Sequence, residues 1–430
     1  MHIIPNENHR PPFCNVQYMP NAYIVDCVRT AGGKRKGGLS DWHPADLGAE
    51  VLDALLQRTK LEGSLVDDVI FGCVSQIGAQ SGNVARNAVL ASSLPISVTG
   101  TTIDRQCGSS QQAIHFAAQA VMSGTQDIVI AGGVEVMSLI NIGANAIVGL
   151  QAGMGAPVSD RIGDKFPDVA GQPAFSQFVG AERVASEFGL TRAELDAYAV
   201  ESHRRAAAAA KAGRFRNEIV SVKGKDAKSG DEKLISEDEG IRADISAAAL
   251  AKLKVLQPDG VLTAGSASQI TDGASAVLIM NEEGLRKSGL RPRARIVALA
   301  LAGDDPVIML RAPVPASKKA LALAKLSAQE IDVWEVNEAF ASVPMAVIKA
   351  LGVSPAKVNV NGGAIALGHP LGATGTKLMS TLVNELERSK GRYGLLTMCE
   401  GGGMANATII ERVEGAAAAG NGGSKLNAKL

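Results

Sequence analysis

Apolar positions along the chain fall into short blocks that alternate between two spacings. Tyr-Ile-Val-Asp-Cys-Val predicts a strand over 23–28, followed by a Gly/Lys-rich loop over 29–39. Apolar residues three and four apart then predict a helix over 44–57, with Asp41 as a possible cap. An apolar block predicts a strand over 68–74, and a helix fits 83–92. A strand over 101–104 leads into Arg105-Gln106-Cys107-Gly108-Ser109-Ser110 and a helix running through Met122, and another strand fits 128–131. Short apolar strands alternating with helices predict α/β layers around a mostly parallel sheet.

The texture changes near residue 139. Residues 139–180 are rich in Gly, Ala, Pro and Asp with weak periodicity. Helices fit 181–188, 192–212 and 245–255, around a charged stretch over 223–239. This reads as an inserted, loop-rich subdomain. Apolar strand texture returns at 274–280, and strands fit 295–301 and 331–336. A short strand over 358–360 enters a Gly-rich turn over 361–375 and a helix to Leu386, with strands over 395–398 and 407–411 closing the series. The order of elements repeats that of 23–131. It predicts a duplicated α/β protein with two sheets and helices between and outside them. Residues 1–21 and 414–430 read as flexible extensions, the latter of low complexity.

Composition narrows the function classes. Lys+Arg and Asp+Glu both number 43, and aromatics are 3%, which argues against nucleic acid as a partner. No apolar run approaches the roughly 20 residues of a membrane span. The cysteines are Cys14, Cys27, Cys73, Cys107 and Cys399, an odd set without a Cys-x-x-Cys pair. A disulfide framework and a zinc site are therefore not expected, and a reducing compartment is the default. The start, MHIIPNENHRPPF, lacks the pattern of a secretory signal.

Four positions just past predicted strands can carry chemistry, the place where open α/β sheets put their ligand crevices. Cys107 lies where a strand hands over to a helix, so backbone N–H groups and the helix dipole favour its thiolate and predict a lowered pKa. A small buried hydrophobe is the alternative for this residue. His369, between Gly368 and Pro370 in a Gly-rich turn, suits a general base paired with a thiol; a loop histidine bonded to backbone is the alternative. Cys399 precedes Glu400 and three glycines whose N–H groups can face an oxyanion, unless they form only a flexible turn. Asn337 could hold a water or a carbonyl oxygen, or simply cap the next helix. His115 and His203 lie in helical patterns and read as structural or solvated, while His43 is open.

Together the motifs resemble the thiolase family over about residues 22–413. They are Gln106-Cys107-Gly108-Ser109-Ser110, Gly132-Gly133-Val134-Glu135-Val136-Met137-Ser138, Asn337-Glu338-Ala339-Phe340-Ala341, the Gly-Gly…Gly-His-Pro run over 362–370, and Cys399-Glu400-Gly401-Gly402-Gly403. The resemblance implies a layered αβαβα fold: a first α/β half over 22–138 plus 269–289, a coenzyme-A-binding loop domain over 139–268, and a second half over 290–413. It implies Cys107 as the acylated nucleophile and His369 as its base. Cys399 would be the acid/base, and Asn337 would hold a water. One oxyanion hole would use His369 and Asn337, the other the N–H groups of Cys107 and Gly401. Gly265-Ser266-Ala267-Ser268 resembles the stretch that contacts coenzyme A, with Ser268 the matching serine. Phe178-Val179-Gly180 stands where many thiolases carry Met-Gly, so Phe178 bears on acyl preference.

The resemblance further implies coenzyme A and acyl-CoA as substrates, no permanently bound cofactor or metal, and a homodimer or homotetramer. A non-catalytic acyl-CoA-binding subunit of the same fold is the alternative, disfavoured by the presence of both cysteines, the histidine and the asparagine. The terminal Ala428-Lys429-Leu430 resembles a peroxisomal address read by an import receptor, with a cytoplasmic location as the alternative.

Overall fold

The computed structural model describes residues 19–169, 174–226 and 229–414. Cys14, most of the first extension and Ala428-Lys429-Leu430 lie outside the described residues. The first half runs β1 (Tyr23–Thr30), β2 (Gly33–Lys34), α1 (Pro44–Thr59), β3 (Asp68–Gly72), α2 (Val84–Ala91), β4 (Thr99–Ile103), α3 (Ser109–Met122) and β5 (Ile128–Val136). The intervening region carries α4 (Ala144–Gln151), α5 (Asp160–Lys165), α6 (Gln177–Glu187), α7 (Arg192–Lys211), β6 (Ile219–Val220), β7 (Val222–Lys225), β8 (Glu232–Ile235) and α8 (Ala247–Leu250). Then come β9 (Thr271–Met280), α9 (Glu282–Ser288), β10 (Ala294–Gly303), α10 (Pro313–Ala324), β11 (Val333–Val336), α11 (Ser342–Leu351), α12 (Ala364–Leu367), α13 (Thr374–Ser389), β12 (Tyr393–Glu400) and β13 (Met404–Arg412).

The strand order β11-β12-β13-β10-β1-β9-β5-β3-β4 is the same motif read outward twice from its middle. In one half β3 runs parallel to β4 and β5; in the other β11 runs parallel to β12 and bridges in parallel to Val358. The duplication expected from element order is present. The expected mostly parallel sheet is instead mixed. The β12–β13 connection is the three-glycine turn, and a connection that short can join only antiparallel strands. The two expected sheets also share a short seam, Tyr23↔Arg295 and Ile24↔Ala294.

Helices α3 and α13 pack on each other between the sheet halves. Ile114, Ala117, Val121, Leu378, Met379 and Leu382 meet the inward faces of β5, β9, β12 and β13 there. Helices α1 and α2 cover the outer face of the first half, and α10 and α11 that of the second. Side chains of β5 serve both layers in turn: Val129 and Ala131 face inward, Ile128 and Ile130 outward.

Three local expectations are corrected. Asp41 does not cap α1. His43 does, its Nδ1 accepting from Ala45 N at 3.3 Å, while Asp41 pairs with Lys225 at 2.8 Å. The helix expected over 245–255 is the single turn α8, because Arg192 Nη2 takes the carbonyls of Leu250 (2.7 Å) and Leu253 (3.2 Å). The charged stretch over 223–239 contains most of the hairpin β7–β8.

A buried ion cluster fastens the loop region to β1. Arg29 donates to Glu218 Oε1 (2.7 Å) and to both oxygens of Asp238 (2.7 and 3.0 Å), all three residues being shielded from solvent. Removing one partner of a buried cluster strands the others without compensation. Arg29→Met is expected to lower stability by about 3–5 kcal/mol, read as a shift of the urea denaturation midpoint. An unchanged midpoint would show that the cluster does not hold the loop region.

Candidate active site

The turn between β4 and α3 sets Cys107. Gln106 takes a positive φ of 49°, its N–H donates to Asp104 Oδ1 (2.6 Å), and Ser109 Oγ donates back to Gln106 O (2.6 Å). Cys107 is thereby held half-buried beside Val74, Met137 and Leu371. Its thiol is pushed up to about 12, first by burial and then by the Glu400 carboxyl, while its own backbone N–H pulls the other way. The lowered pKa expected from the helix terminus is thus overturned, because desolvation outweighs the dipole.

His369 follows α12 through Gly368, whose φ of 80° and lack of room beside Thr271 admit only glycine. Its backbone N–H lies against Thr271 Oγ1 (3.1 Å) and Gln269 O (3.2 Å). The ring Nδ1 lies 2.6 Å from Thr374 Oγ1, and that hydroxyl donates its own proton to Pro370 O (2.7 Å). Nδ1 therefore carries the hydrogen and Nε2 the lone pair. Burial, then the Lys377 ammonium, pushes the imidazole down to about 3, so it stands neutral. Lys377 Nζ itself donates to Leu367 O (2.7 Å) and Gly368 O (2.8 Å), just before the histidine.

Asn337 Nδ2 donates to His369 Nε2 at 3.3 Å, and its buried Oδ1 has no partner. It does not cap the following helix: α11 begins at Ser342 with Ala341 in the cap position. Its backbone N–H donates to Thr397 O (3.1 Å), two residues before Cys399. Cys399 is fully buried near the end of β12, and burial, then Cys107 and Glu400, raise its thiol as well. Gly402 and Gly403 turn the hairpin with φ of 83° and 77°, while Gly401 lies against Gln106, where an added Cβ would stand 2.9 Å from Oε1. His369 and Asn337 thus touch, Cys107 reaches the same neighbourhood through Leu371, two residues past His369, and Cys399 through the β11–β12 pairing.

The support around them was not read from sequence. Glu135 accepts from Val74 N (2.9 Å), Ser75 N (3.0 Å), Gln80 Nε2 (2.8 Å) and Gly372 N (2.9 Å). Glu338 accepts from Tyr198 Oη (3.0 Å), Ser202 Oγ (2.7 Å), Asn359 Nδ2 (3.0 Å) and Ile365 N (3.0 Å), docking α7 onto the glycine-rich segment. The signal available was a carboxylate inside each apolar motif, a residue type that is buried only when paired.

Ser268 is half-buried and its N–H donates to Ala339 O (2.9 Å), so the 265–268 segment runs beside Asn337-Glu338-Ala339-Phe340. Gly265 is buried under Leu250 and Leu253. Phe178 is 39% exposed and meets Phe340 edge to face at 5.8 Å. His115 bonds to Thr408 Oγ1 (2.8 Å), and His203 Nδ1 accepts from Arg242 N (3.1 Å), so both are structural. A cavity of about 320 Å³ between α7 and α11 is lined by none of Cys107, Asn337, His369 and Cys399. Among the described residues no group of three or more His, Cys, Asp or Glu is placed to hold a metal ion.

The Thr374 contact is testable. Thr374→Val leaves the Nδ1 hydrogen without an acceptor and frees the imidazole to change tautomer. A drop of about tenfold or more in turnover is expected, the worth of one buried hydrogen bond, and Thr374→Ser should restore it. A Val variant at full rate would show that His369 orientation does not limit turnover.

The profile of the thiolase N-terminal domain matches residues 22–283, and that of the thiolase C-terminal domain matches 290–412. The chain is 52% identical over 395 residues to a steroid 3-ketoacyl-CoA thiolase of Mycobacterium tuberculosis, covering 92% of this chain and 95% of that one. It is 44% identical over 391 residues to an acetyl-CoA acetyltransferase of Chromobacterium violaceum, covering 90% and 99%. The crystal structure of the Bacillus anthracis acetyl-CoA acetyltransferase superposes with a TM-score of 0.82 at 37% identity, covering 92% of this chain and 99% of that one. With the duplicated fold and the paired cysteines, histidine and asparagine in place, these matches make the chain a member of the thiolase family.

Proposed function

We propose that the protein transfers the acyl group of a 3-oxoacyl-CoA to coenzyme A, and catalyses the reverse condensation, through an acyl-Cys107 intermediate. The observation that carries this reading is the neutral His369, its Nε2 lone pair facing Asn337, two residues before the Leu371 side chain that packs on half-buried Cys107. His369 Nε2 takes the Cys107 proton as sulfur attacks the C3 carbonyl. The C2–C3 bond breaks, and Cys399 gives its proton to the carbon of the departing enolate, forming acetyl-CoA. Coenzyme A then gives its thiol proton to Cys399 and attacks the acyl-Cys107 carbonyl. Cys107 leaves as thiolate and recovers its proton from His369. The N–H groups of Cys107 and Gly401 would face one developing oxyanion; His369 Nε2 and a water held by Asn337 would face the other. Half-buried Ser268 would lie along coenzyme A, with Gly265 buried behind it.

The acyl group we infer is large and apolar. Two things support this: the steroid substrate named for the relative above, and the surface next to the nucleophile. Helix α4 buries no side chain, yet it and its flanks present Leu139, Ile142, Ile147, Val148, Leu150 and Met154. Asn145 Nδ2 on α4 reaches Val74 O (3.4 Å), and Val74 packs on Cys107. We also infer a homo-oligomer joined through the first half, where β4 ends the sheet order with an open edge.

Two measurements check these readings. Cys399→Ala should still transfer an acyl group to Cys107 but lose condensation of acetyl-CoA by about 10²–10⁴-fold; wild-type condensation would make Cys399 structural. Across a series of 3-oxoacyl-CoA substrates, kcat/KM should rise from acetoacetyl-CoA to fused-ring acyl groups. A maximum at acetoacetyl-CoA would contradict the bulky-acyl reading and leave the chemistry intact.

A further inference from the structure

Helix α13 opens with two side chains that reach the same segment. Thr374 and Lys377 stand three residues apart on one face of its first turn, and both are buried. Thr374 Oγ1 meets the His369 ring at Nδ1, while Lys377 Nζ donates to the carbonyls of Leu367 (2.7 Å) and Gly368 (2.8 Å). An ammonium in the first turn of a helix faces the positive end of the dipole, so α13 itself gains nothing from this residue type there. Its acidic neighbours Glu218 and Asp238 form their salt bridges with Arg29 instead. What Lys377 serves is the end of α12. Gly368 leaves that turn at a φ of 80°, and among the described residues no other donor reaches the Leu367 or Gly368 carbonyl. Both residues are buried, and a Cβ on Gly32 would stand only 2.6 Å from the Leu367 oxygen. Buried carbonyls without a donor are costly, and the chain that carries these two continues directly into His369.

We propose that Lys377 is a positioning residue for the reaction: its ammonium pins the backbone immediately before His369 and so fixes where the imidazole Nε2 stands. The role rests on reading His369 as the base. The histidine is then held from three sides: the ring by Thr374, its backbone N–H by Gln269 O and Thr271 Oγ1, and the two preceding carbonyls by Lys377. Nε2 is left facing Asn337. Charge matters to this hold, because a hydrogen bond from an ionised donor is about twice as strong as one between neutral groups. The charged and titratable groups facing the ammonium are Arg29 on β1, Glu218 ahead of β6, Asp238 after β8, Glu335 on β11 and His369 itself. Burial brings the ammonium down to about 8; Asp238 opposes this, Arg29 adds to it, and Glu218 and Glu335 oppose it. The charge is therefore present below about pH 8 and lost above it, where the neutral amine can still donate twice but holds the carbonyls more weakly.

The test compares the full-length enzyme with Lys377→Met, which has no donor, and Lys377→Arg, whose donor stays charged throughout the pH range used. Hydrogen exchange of the peptide over 361–371 is followed by mass spectrometry, and kcat and KM with acetoacetyl-CoA and coenzyme A are measured from neutral to alkaline pH. Lys377→Met should speed exchange in that peptide. It should lower kcat by about 10–10²-fold with KM nearly unchanged, because orientation is lost and substrate binding is not. Lys377→Arg should recover most of the turnover. Wild-type kcat should fall above about pH 8, whereas Lys377→Arg should keep its neutral-pH rate there. Unchanged exchange and unchanged kcat in Lys377→Met would overturn the proposal, as would alkaline limbs that coincide in wild type and Lys377→Arg. If Lys377→Met does not fold, the alkaline limbs alone decide. Faster exchange with full turnover would show that the pin exists and that His369 is not the base, which separates the two failures.

Discussion

The site depends on one buried carboxylate that links two segments far apart in sequence. Glu135 is enclosed, which raises its proton affinity, and its hydrogen bonds from Val74, Ser75, Gln80 and Gly372 pull the other way. Val74 is a wall of the Cys107 pocket, and Gly372 lies three residues past His369. The carboxylate therefore sets the spacing between Cys107 and His369, the residues we propose as nucleophile and base. The backbone contacts around it leave no room for side chains. A Cβ on Gly133 would strike the Gly372 carbonyl, one on Gly72 the start of α3, and one on Gly375 the backbone of Gln111. Those glycines let the N-termini of α3 and α13 approach the same small volume from opposite halves.

The surroundings then decide the electrostatics. Cys107 and Cys399 are thiols and His369 is an uncharged imidazole at rest, each kept neutral chiefly by desolvation. Charge would appear only as reaction proceeds, where fixed N–H groups meet it without reorganisation. The Thr374 and Pro370 contacts select the imidazole tautomer in advance. A nucleophile with a high resting pKa is consistent with such a site, since its proton moves to a neighbouring base as the sulfur bonds to carbon.

Much of this was legible in the sequence because it depends on local pattern. The duplicated order of strands and helices and the positions of Cys107 and Asn337 past strand ends follow from spacing, whereas Cys399 lies inside β12 and His369 follows α12 rather than a strand. What was not legible depends on convergence. Glu135 and Glu338 gain their meaning from partners up to hundreds of residues away. The helix terminus at Cys107 can be read from Gly108-Ser109-Ser110, but the burial that reverses its effect cannot. The shortened α8 depends on Arg192 reaching across from α7, and the mixed sheet on where the glycine hairpin returns.

The central claim is that the acyl group rests on Cys107, and rapid-quench mass spectrometry of the intact enzyme with acetoacetyl-CoA addresses it directly. The account predicts an acetyl group on the Cys107 peptide within a turnover, absent in Cys107→Ser. Acetyl found on Cys399 alone, with Cys107 unmodified, would contradict it.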